Sequence, residues 1–370
     1  MTNNKSFQTY FDCGFSKIRA GTLNKNNTNE AFYFESEFFT DRSSLELKIQ
    51  KIITSLEKDT NEYIDSVNLM IDSTEMLSVG ISLSKKLDGS KLKQSNIQFL
   101  AQEAKQQILK YYSNYKIAHI IINNYKIDGV DYSYLPDEIK CEFISLDLLF
   151  ICVPSDLVIY FREIFSKSSI TINQIICSSY AKSVNYKNNL ILSGYISFID
   201  IGFNRTSIIS YFNDKILSID ILLVGGNHIT KDISKILEIN IERSEQLKYN
   251  FSQNLKFLND KNISIEILQK IVFARKKEIS ELCAKSINSN FHMIGKFKIV
   301  LMGDGSKIFD SQYKDEFLFF NDIVFLNETS EDICQSGFRF VTALNKKEVV
   351  VIPKKLKNHG FFEKFFHFFG

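Results

Sequence analysis

Two stretches of the chain repeat the same order of apolar and polar positions. Each starts as an apolar run that ends in Asp-x-Gly, passes a short polar turn and continues as a second β-type run; they are Phe11–Gly21 and Tyr195–Ile209. Two such runs around a tight turn predict a β-hairpin. Because the copies lie about half a chain length apart, the pattern indicates an internal duplication of one α/β unit.

The segments around the hairpins alternate between strand-like and helix-like patterns. A third strand and then a helix follow each hairpin, and the second of these helices is introduced by Val224–Ile233. Between the hairpins, Ile97–Tyr112 predicts an amphipathic helix, with an apolar face made of Phe99, Leu100, Ala104, Ile108 and Tyr111. Further strands are predicted at Val67–Ile71, Ala118–Asn123, Cys141–Ser145, Leu148–Val153 and Phe297–Leu301, and further helices at Ile239–Phe251, Ile263–Phe291 and Gly337–Leu344. Strands that alternate with helices predict mixed sheets covered by helices.

The order of these elements predicts how the chain is divided. Residues 1–75 and 155–194 are expected to form a first domain, which an inserted α/β subdomain at 76–154 interrupts. Residues 195–353 are expected to form a second domain with a helical subdomain at about 239–292, and residues 354–370 a basic linker and a terminal helix. A chain of 370 residues is long enough for two such cores.

Composition excludes several classes of function. The charges nearly balance, with 45 Lys and Arg against 43 Asp and Glu, so bulk charge favours no nucleic-acid partner. The six cysteines include no Cys-x-x-Cys pair, which is typical of a reduced cytosolic protein. No apolar window reaches the ~18 residues that a spanning helix needs, and the five histidines lack metal-ligand spacing.

The two Asp-x-Gly turns carry the candidate chemistry. An aspartate at the end of a strand can hold a hydrated metal ion, and the exposed N–H groups of the turn can bind phosphate oxygens. One Asp-x-Gly alone more often only turns the chain. Two copies at half-chain spacing, together with a strand that ends in Met302-Gly303-Asp304-Gly305, favour a nucleotide site between two facing turns.

These motifs resemble those of a known superfamily. Asp12-Cys13-Gly14 with Lys17 resembles the first phosphate motif of the ATPases that include actin, sugar kinases and heat-shock chaperones; Asp200-Ile201-Gly202 with Thr206 resembles the second, and Met302–Gly305 the adenosine motif. Within that superfamily, the segment Gly225–Lys248 and the position of the inserted subdomain resemble the bacterial division protein FtsA. The resemblance implies an α/β, actin-like duplicated ATPase fold, with two domains around a nucleotide cleft and an FtsA-type inserted subdomain.

The resemblance also implies a set of site residues. ATP with Mg²⁺ is the expected cofactor; Asp12 and Asp200 would hold the metal through water, and Glu245 and Lys248 would face the ribose and adenine. The full set of predicted nucleotide-binding residues is Asp12, Gly14, Ser16, Lys17, Asp200, Gly202, Asn204, Arg205, Thr206, Gly225, Gly226, Glu245, Lys248, Gly303, Gly305 and Ser306.

The loops depart from the family pattern in three places. The second loop of relatives reads D-I-G-G-G-T, but here Phe203, Asn204 and Arg205 separate Gly202 from Thr206. Phe15 replaces a small residue in the first loop, and Asp304 replaces a glycine of the adenosine motif. Two outcomes are compatible with these changes. Either Arg205 and Lys17 hold a nucleotide that is scarcely hydrolysed, since Arg pairs well with phosphate, or the cleft is only a structural hinge.

The end of the chain has a separate pattern. At 100° per residue, six Phe of 361–370 lie on one arc of a helix and Glu363, Lys364 and His367 on the other. Each Phe removed from water contributes roughly 1.5–3 kcal/mol, and upstream lysines would attract anionic lipid. The predicted membrane-binding residues are Phe361, Phe362, Lys364, Phe365, Phe366, Phe368 and Phe369. The alternative is that this helix docks on the protein's own surface.

The resemblance to FtsA implies an adaptor at the division site, on the cytoplasmic face of the inner membrane. Its expected partners are the tail peptide of the tubulin-like protein FtsZ, further copies of itself, the anionic membrane surface and later division proteins. Arg275 matches a basic position of the family's FtsZ-binding helix, although an exposed basic residue is more often plain surface. The alternatives are PilM, the related pilus-assembly protein without a membrane tether, and a kinase or phosphatase of the superfamily.

Overall fold

The structure is a computed structural model, and it describes residues 6–27, 29–39, 44–136, 139–253, 264–290, 297–309 and 322–344. Its strands are β1 Phe7–Cys13, β2 Ile18–Asn24, β3 Ala31–Glu35, β4 Ser66–Ile71, β5 Leu77–Lys86, β6 Tyr115–Ile127, β7 Val130–Tyr132, β8 Phe143–Pro154, β9 Thr171–Cys177, β10 Tyr195–Ile201, β11 Thr206–Phe212, β12 Lys215–Leu222, β13 Phe297–Met302 and β14 Asp322–Phe325. Its helices are α1 Leu45–Thr60, α2 Gln94–Tyr111, α3 Ser155–Ser166, α4 Ser178–Asn189, α5 Gly226–Leu237, α6 Ile241–Gln253, α7 Ile265–Asn290 and α8 Ser330–Leu344, with a 3₁₀ helix at Asp304–Phe309.

Two sheets of the molecule repeat one topology. The first has the strand order β3-β2-β1-β4-β9 and the second β12-β11-β10-β13-β14. In both, the central strand pairs antiparallel with its hairpin partner and parallel with the strand on its other side. The internal duplication predicted from the two hairpins is therefore confirmed.

Helices cover the outer face of each sheet. Ile53 of α1 and Phe165 of α3 lie in one apolar cluster with the first sheet. Ile233 of α5 and Val272 of α7 lie in another with the second sheet. Each half therefore has its own core.

Two helices cross between the halves. Helix α4 packs on β9 of the first sheet, on β11 of the second and on α8. Helix α8 follows the second sheet in the chain and packs on β1, β2 and β3 of the first. A third apolar cluster joins Tyr10 and Met70 of the first sheet to Phe198 and Val300 of the second, so the inner faces of the two sheets share one core.

A third sheet, β5-β8-β6-β7, is inserted between β4 and α3. Helix α2 packs on it, and the buried side chains of this helix are Ile97, Leu100, Ala101, Ala104 and Ile108. The sheet occupies residues 77–154, inside the range predicted for the inserted subdomain, although the domain boundaries themselves stay predictions.

The structure corrects three details of the predicted elements. Phe99 and Tyr111 do not lie on the buried face of α2, since they are 54% and 73% exposed. The two strands predicted within 141–153 form the single strand β8, and β5, which the apolar pattern did not single out, pairs with β8 along its length.

No helix within the described residues is long and apolar enough to cross a bilayer. The predicted linker and membrane-binding helix at 354–370 lie outside the residues that the structure describes.

Candidate functional site

The two Asp-x-Gly turns have the same backbone. In each hairpin a turn of four residues joins paired positions, Cys13 to Ile18 in the first and Ile201 to Thr206 in the second. The N–H of Gly14 donates to the carbonyl of Lys17 at 3.0 Å, and that of Gly202 donates to the carbonyl of Arg205 at 2.9 Å. The duplicated sequence pattern therefore produces a duplicated turn.

Both turns border one cavity of about 890 Å³ between the halves of the molecule. Predicted site residues that line it are Asp12, Gly14, Ser16, Lys17, Asp200, Gly202, Arg205, Gly226, Glu245, Lys248, Gly303 and Gly305, and Phe15 and Phe203 line it too. A space of this size suits a drug-sized or nucleotide-sized ligand.

Four predicted site residues do not line this cavity but support its walls. The Thr206 hydroxyl donates to the Val224 carbonyl at 2.8 Å, and the Ser306 hydroxyl donates to the Gly303 carbonyl at 2.7 Å. Asn204 accepts from the Asn227 amide at 2.8 Å. At Gly225 a Cβ atom would lie 2.5 Å from the Gly202 carbonyl oxygen, so this glycine lets α5 approach the second turn.

Asp12, at the end of the first turn's leading strand, is held by two groups of its own half. The Ser178 hydroxyl donates to its Oδ1 at 2.7 Å, and Arg19 Nη1 lies 3.8 Å from its Oδ2. Burial raises the pKa of Asp12 and outweighs the opposite effects of Arg19, Lys182 and Ser178.

Asp200 occupies the equivalent position in the second turn and has a different neighbour. The Lys182 ammonium, which α4 extends toward it, lies 2.9 Å from Asp200 Oδ2, and both side chains are 6% exposed. The same ammonium lies 3.1 Å from Glu328 Oε2. Burial alone would lower the pKa of Lys182, but Asp200, Glu328 and Asp12 together raise it, so the ammonium stays charged.

Glu328 is itself fixed by two donors. The Gly303 N–H donates to Oε2 at 2.6 Å, and the Tyr186 hydroxyl donates to Oε1 at 2.9 Å. Gly303 has φ +87°, and a Cβ atom there would lie 2.3 Å from Asp200 Oδ1. The adenosine-type turn therefore needs glycine at this position and is tied to the floor of the cavity.

The cations of the two turns have different partners. Lys17 pairs with Glu35 at 2.5 Å, and both side chains are about one-third exposed. Arg205 is buried and pairs with Asp72, which belongs to the other half of the molecule. Asp72 also accepts from the Ser179 N–H at 2.9 Å, so the Arg205 guanidinium joins the second turn to the start of α4.

Asp304 joins the turn after β13 to the first half of the molecule. Its carboxylate pairs with Arg19 across the cavity and with Lys307 at 2.9 Å on its own side. Burial would raise the pKa of Asp304, but Arg19 and Lys307 outweigh it and hold the pKa well below its usual range. The residue that replaces a family glycine therefore bridges the two halves.

The two residues expected near adenosine hold each other. The Lys248 ammonium contacts Glu245 Oε2 at 2.6 Å, the Thr230 hydroxyl at 2.8 Å and the Gly226 carbonyl at 3.1 Å. Burial lowers the pKa of Lys248 although Glu245 opposes it. This cluster packs α5 against α6 at one wall of the cavity.

At the mouth of the cavity an aromatic contact spans the halves. The rings of Phe203 and Phe38 lie 5.6 Å apart at 73°, an edge-to-face arrangement. The Lys248 ammonium lies 5.9 Å from the Phe203 ring. The bulky residue that the second turn carries in place of glycine therefore contacts the first half across the cavity.

A protein cation lies beside one of the two aspartates predicted to hold Mg²⁺ through water, since the Lys182 ammonium is at hydrogen-bond distance from Asp200. Magnesium usually keeps several waters and is bound through one or two carboxylates, so the assignment of Asp12 and Asp200 to the metal stays a prediction. Among the residues that the structure describes, no group of three or more His, Cys, Asp or Glu side chains is placed to hold a metal.

Arg275 lies on α7, apart from the cavity. Its Nε and Nη2 contact the two carboxylate oxygens of Asp232 on α5 at 2.6 and 3.0 Å, and its Nη1 contacts Glu278 at 2.6 Å. The bidentate contact fixes the guanidinium plane, and 24% of the side chain stays exposed. Its assignment as a partner-binding residue stays a prediction.

Comparison with known proteins places this geometry in a family context. The model of the family "Cell division protein FtsA" matches residues 197–309, which include the second turn and α5 to α7. The cell division protein FtsA of Agrobacterium fabrum (strain C58 / ATCC 33970) and that of Rhizobium radiobacter are each 21% identical over 293 residues. The alignment spans 74% of this chain and 66% of each relative's length.

Solved structures agree on the fold. The PilM-PilN type IV pilus biogenesis complex aligns with a TM-score of 0.64 at 13% identity, over 91% of this chain and 96% of that one. The ethanolamine utilization protein EutJ from Carboxydothermus hydrogenoformans aligns with a TM-score of 0.50 at 10% identity, over 91% and 92%.

The chain is similar in sequence to FtsA and has an actin-like fold. Both the predicted resemblance and the predicted fold class, an actin-like ATPase fold, are confirmed by these matches. The sheet β5-β8-β6-β7 lies in the chain between β4 and α3, both of which belong to the first half.

Sequence reasoning missed several groups that organise the cavity: Arg19, Asp72, Lys182 and Glu328. Arg19 had a usable signal, because it is a charge inside an apolar strand run that the hairpin pattern predicts to be buried. Lys182 had none, because a lysine on a helix is ordinarily solvated and α4 has few apolar residues. Its burial depends on carboxylates that are distant in sequence.

Proposed function

We propose that this protein is an FtsA-type division adaptor that binds ATP with little or no hydrolysis, self-associates and links FtsZ filaments to the membrane. The observation that carries the proposal is the pair of equivalent turns bordering one 890 Å³ cavity in an FtsA-like chain. Facing turns at strand ends with cations nearby suit a polyphosphate.

Slow turnover is supported by the groups that line the cavity. Phe203 reaches Phe38 at the mouth, where family members have small residues in the second loop. The buried Lys182 engages Asp200, the carboxylate that would position a metal ion. Nucleotide in this cavity would then serve to hold the two halves together rather than to supply chemical energy.

Membrane attachment is supported by the sequence of the terminal segment. Six Phe on one arc and a lysine-rich approach fit a helix that lies in the interface of an anionic bilayer. The proposed location is the cytoplasmic face of the inner membrane at the division site. Later division proteins would be recruited there by the assembled adaptor.

The FtsZ tail is proposed to bind on the α7 side of the second half, near Arg275. A pull-down of the full chain with the FtsZ tail peptide tests this directly, because neither a pilus protein nor a sugar kinase would retain the peptide. The site variant is Arg275→Glu, and Lys277→Glu is the matched control, since Lys277 lies on the same helix with its side chain 77% exposed. Retention by the parent and the control but not by Arg275→Glu is the expected result.

A second experiment tests the tether. Deletion of residues 360–370 is expected to move the protein from the membrane fraction to the supernatant, and a deletion variant that stays with the membrane would contradict the proposal. Likeness to PilM in fold keeps a pilus-assembly role as the alternative. Failure to bind the FtsZ tail would favour it.

A further inference from the structure

A smaller cavity of about 220 Å³ lies where the inserted sheet meets the first half of the molecule. Its walls come from α2 and the start of β6 on one side and from α3 and β9 on the other, and Phe340 of α8 also lines it. We call this space, between residues 105–119 and 162–176, the junction pocket. Within the described residues it shares no wall with the cavity between the two turns.

The charged side chains of the junction pocket are all cationic. Lys105, Lys116 and Arg162 line it, and the described residues contribute no Asp or Glu to its walls. In the part of the chain that the structure covers, none of these three cations forms an ion pair. In the cavity between the turns, by contrast, each lining cation pairs with a carboxylate. The junction pocket therefore carries a positive charge that its own walls do not compensate.

Lys105, which is partly buried on α2, shows the effect of this missing counter-charge. Burial lowers the pKa of Lys105, and no neighbouring carboxylate opposes that effect. Lys182 is also buried, but the carboxylates around it raise its pKa instead. Burial of an ammonium without a counter-charge is unfavourable, and a bound anion would reduce that penalty. The pocket therefore fits an anionic ligand.

Two neutral polar groups of the junction pocket have no partner within the described residues. His119 is 4% exposed, and burial lowers its pKa to about 3, so its imidazole is neutral. Its Nε2 accepts from the Cys177 N–H at 2.8 Å, which leaves the proton on Nδ1 as a donor. Gln174 Oε1 is a buried acceptor without a donor. A ligand that satisfies both groups must itself carry an acceptor and a donor.

Strand β9 departs from regular pairing at this place. Val67 of β4 pairs with Ile172 and Asn68 pairs with Gln174, so Asn173 is an extra residue in β9. Bulges of this kind re-aim side chains and are common beside functional sites. Asn173 and Gln174 both line the junction pocket, whereas side chains of adjacent residues in a regular strand point to opposite faces. The bulge therefore adds amide groups to the wall that faces the cations.

We propose that the junction pocket binds inorganic phosphate, with Lys105, Lys116 and Arg162 as its counter-charges. Monohydrogen phosphate is a dianion, which suits three cations better than a single carboxylate does. Its oxygens accept from the cations and from His119, and its one O–H donates to Gln174 Oε1. A space of about 220 Å³ is smaller than the roughly 300–1,000 Å³ of sites for drug-sized ligands, which favours a small anion.

A phosphate ion in this pocket would connect two parts of the fold. Lys105 lies on α2 and Lys116 on β6, beside the inserted sheet, whereas Arg162 lies on α3 and Gln174 on β9 of the first half. Charge-assisted hydrogen bonds from both sides would hold the inserted sheet against the first half. This role does not depend on the proposed nucleotide binding, because the two cavities have separate walls.

Calorimetric titration of the full chain with sodium phosphate near neutral pH tests the proposal, with sodium sulfate and sodium acetate compared at the same ionic strength. Phosphate is expected to bind at least about fivefold more tightly than either, because sulfate lacks the O–H that Gln174 needs and acetate carries a single charge. Absence of binding heat with phosphate would overturn the proposal. Equal affinities for phosphate and sulfate, or tighter binding of glycerol phosphate, would overturn the assignment to inorganic phosphate.

Two variants locate the ligand. Lys105→Met is expected to weaken phosphate binding by at least about tenfold, and parental affinity in this variant would overturn the proposal. Lys110→Met is the matched control, since Lys110 is exposed on the same helix and does not line the pocket. Gln174→Leu is expected to abolish the preference for phosphate over sulfate. Retention of that preference would contradict the role of Gln174 Oε1.

A third variant separates the two cavities. Lys17 lines only the cavity between the turns, so Lys17→Met is expected to leave phosphate affinity unchanged. Weakened binding in Lys17→Met with parental binding in Lys105→Met would place the anion in that other cavity and overturn the proposal. Folding of each variant is checked by its thermal transition before titration. Should Lys105→Met fail to fold, Arg162→Gln changes an exposed residue of the same pocket and carries the same expectation.

Discussion

The two turns that face each other across the cavity have the same backbone hydrogen bond, but their cations have different ion-pair partners. The N–H of the glycine in each turn donates to the carbonyl three residues later, at 3.0 Å in the first turn and 2.9 Å in the second. The cation at the fourth turn position is Lys17 in the first and Arg205 in the second. Lys17 pairs with Glu35 at the surface, whereas Arg205 is buried against Asp72 of the opposite half.

Two residues further along the chain, it is the first hairpin and not the second that places a cation against the opposite half. Arg19 pairs across the first hairpin with Asp12, and Ser207 pairs across the second with Asp200. Arg19 reaches Asp304 of the second half, while Ser207 accepts from the Arg205 guanidinium of its own turn. Duplication thus preserved the main-chain geometry, and the charges that connect the halves arose separately in each copy.

The largest expected difference between the turns is in stability. Arg205→Met would leave Asp72 as a buried carboxylate without its cation, and such a loss costs about 3–5 kcal/mol of unfolding free energy. Lys17→Met breaks a pair whose side chains are about one-third exposed and should cost at most about 1 kcal/mol. Urea unfolding followed by circular dichroism measures both. Equal losses in the two variants would show that burial of the Arg205–Asp72 pair has no energetic consequence.

The aspartates of the two turns should respond oppositely to neutralisation. Asp200→Asn removes a charged partner of Lys182, which keeps Glu328, so a loss on the order of 2 kcal/mol is expected at pH 7. Burial raises the pKa of Asp12 in the folded protein. Its charged form therefore costs stability as pH rises above the unfolded pKa of about 3.9, and Asp12→Asn should stabilise the protein at pH 7.

Thermal unfolding of both variants at pH 4 and pH 7 checks this contrast. The stabilisation by Asp12→Asn should be present at pH 7 and vanish near pH 4, where the unfolded carboxyl is half protonated. Ser155→Ala is a control at a site outside the cavity. Destabilisation by Asp12→Asn at neutral pH would mean that Arg19 and Ser178 outweigh the burial of Asp12.

The contact between Arg19 and Asp304 connects the first hairpin to the second half, and its contribution to stability should fall at low pH. The folded pKa of Asp304 is depressed by Arg19 and Lys307, so its contribution is present above the unfolded pKa of about 3.9 and is lost as pH falls through the folded pKa. Asp304→Asn should lower stability at pH 7, by less than Asp200→Asn because 34% of the Asp304 side chain is exposed.

Urea midpoints between pH 7 and pH 3 measure this dependence. The Asp304→Asn protein should lose less stability on acidification than the parent. Asp322→Asn is the matched control, because Asp322 also pairs with a lysine, at 3.5 Å, but is 56% exposed and belongs to one half only. Parallel pH curves for the parent and Asp304→Asn would contradict the depressed pKa.

The shared backbone geometry of the turns was predictable from the sequence, and the ion-pair partners of their charged residues were not. Apolar runs that end in Asp-x-Gly are local signals, and so are the glycines, because a hairpin of this kind determines its own register. Both turns and the duplicated sheets follow from them. Helices α2, α6 and α7 were located to within three residues, whereas α8 begins seven residues before its predicted start and α3 and α4 were not predicted.

The partners of Arg205 and Lys182 depend on contacts that no local pattern contains. Arg205 was predicted to hold phosphate, but its nearest carboxylate is Asp72, which follows β4 in the first half. Lys182 and Glu328 are 146 positions apart. Tertiary packing brings such groups together, so a single sequence can mark them as charged but not as buried.

The smallest expected effect concerns the aromatic contact that only the second turn makes with Phe38. The edge-to-face pair of Phe38 and Phe203 should contribute about 0.5 kcal/mol beyond simple burial, the lower end for such pairs, because Phe38 is 36% exposed. A double-mutant cycle with Phe38→Ala and Phe203→Ala measures this coupling in urea unfolding. The control cycle pairs Phe38→Ala with Phe99→Ala, since Phe99 packs under Lys85 in the inserted sheet, and should be additive. Additivity in the Phe38–Phe203 cycle as well would mean that this ring contact does not contribute to stability beyond burial.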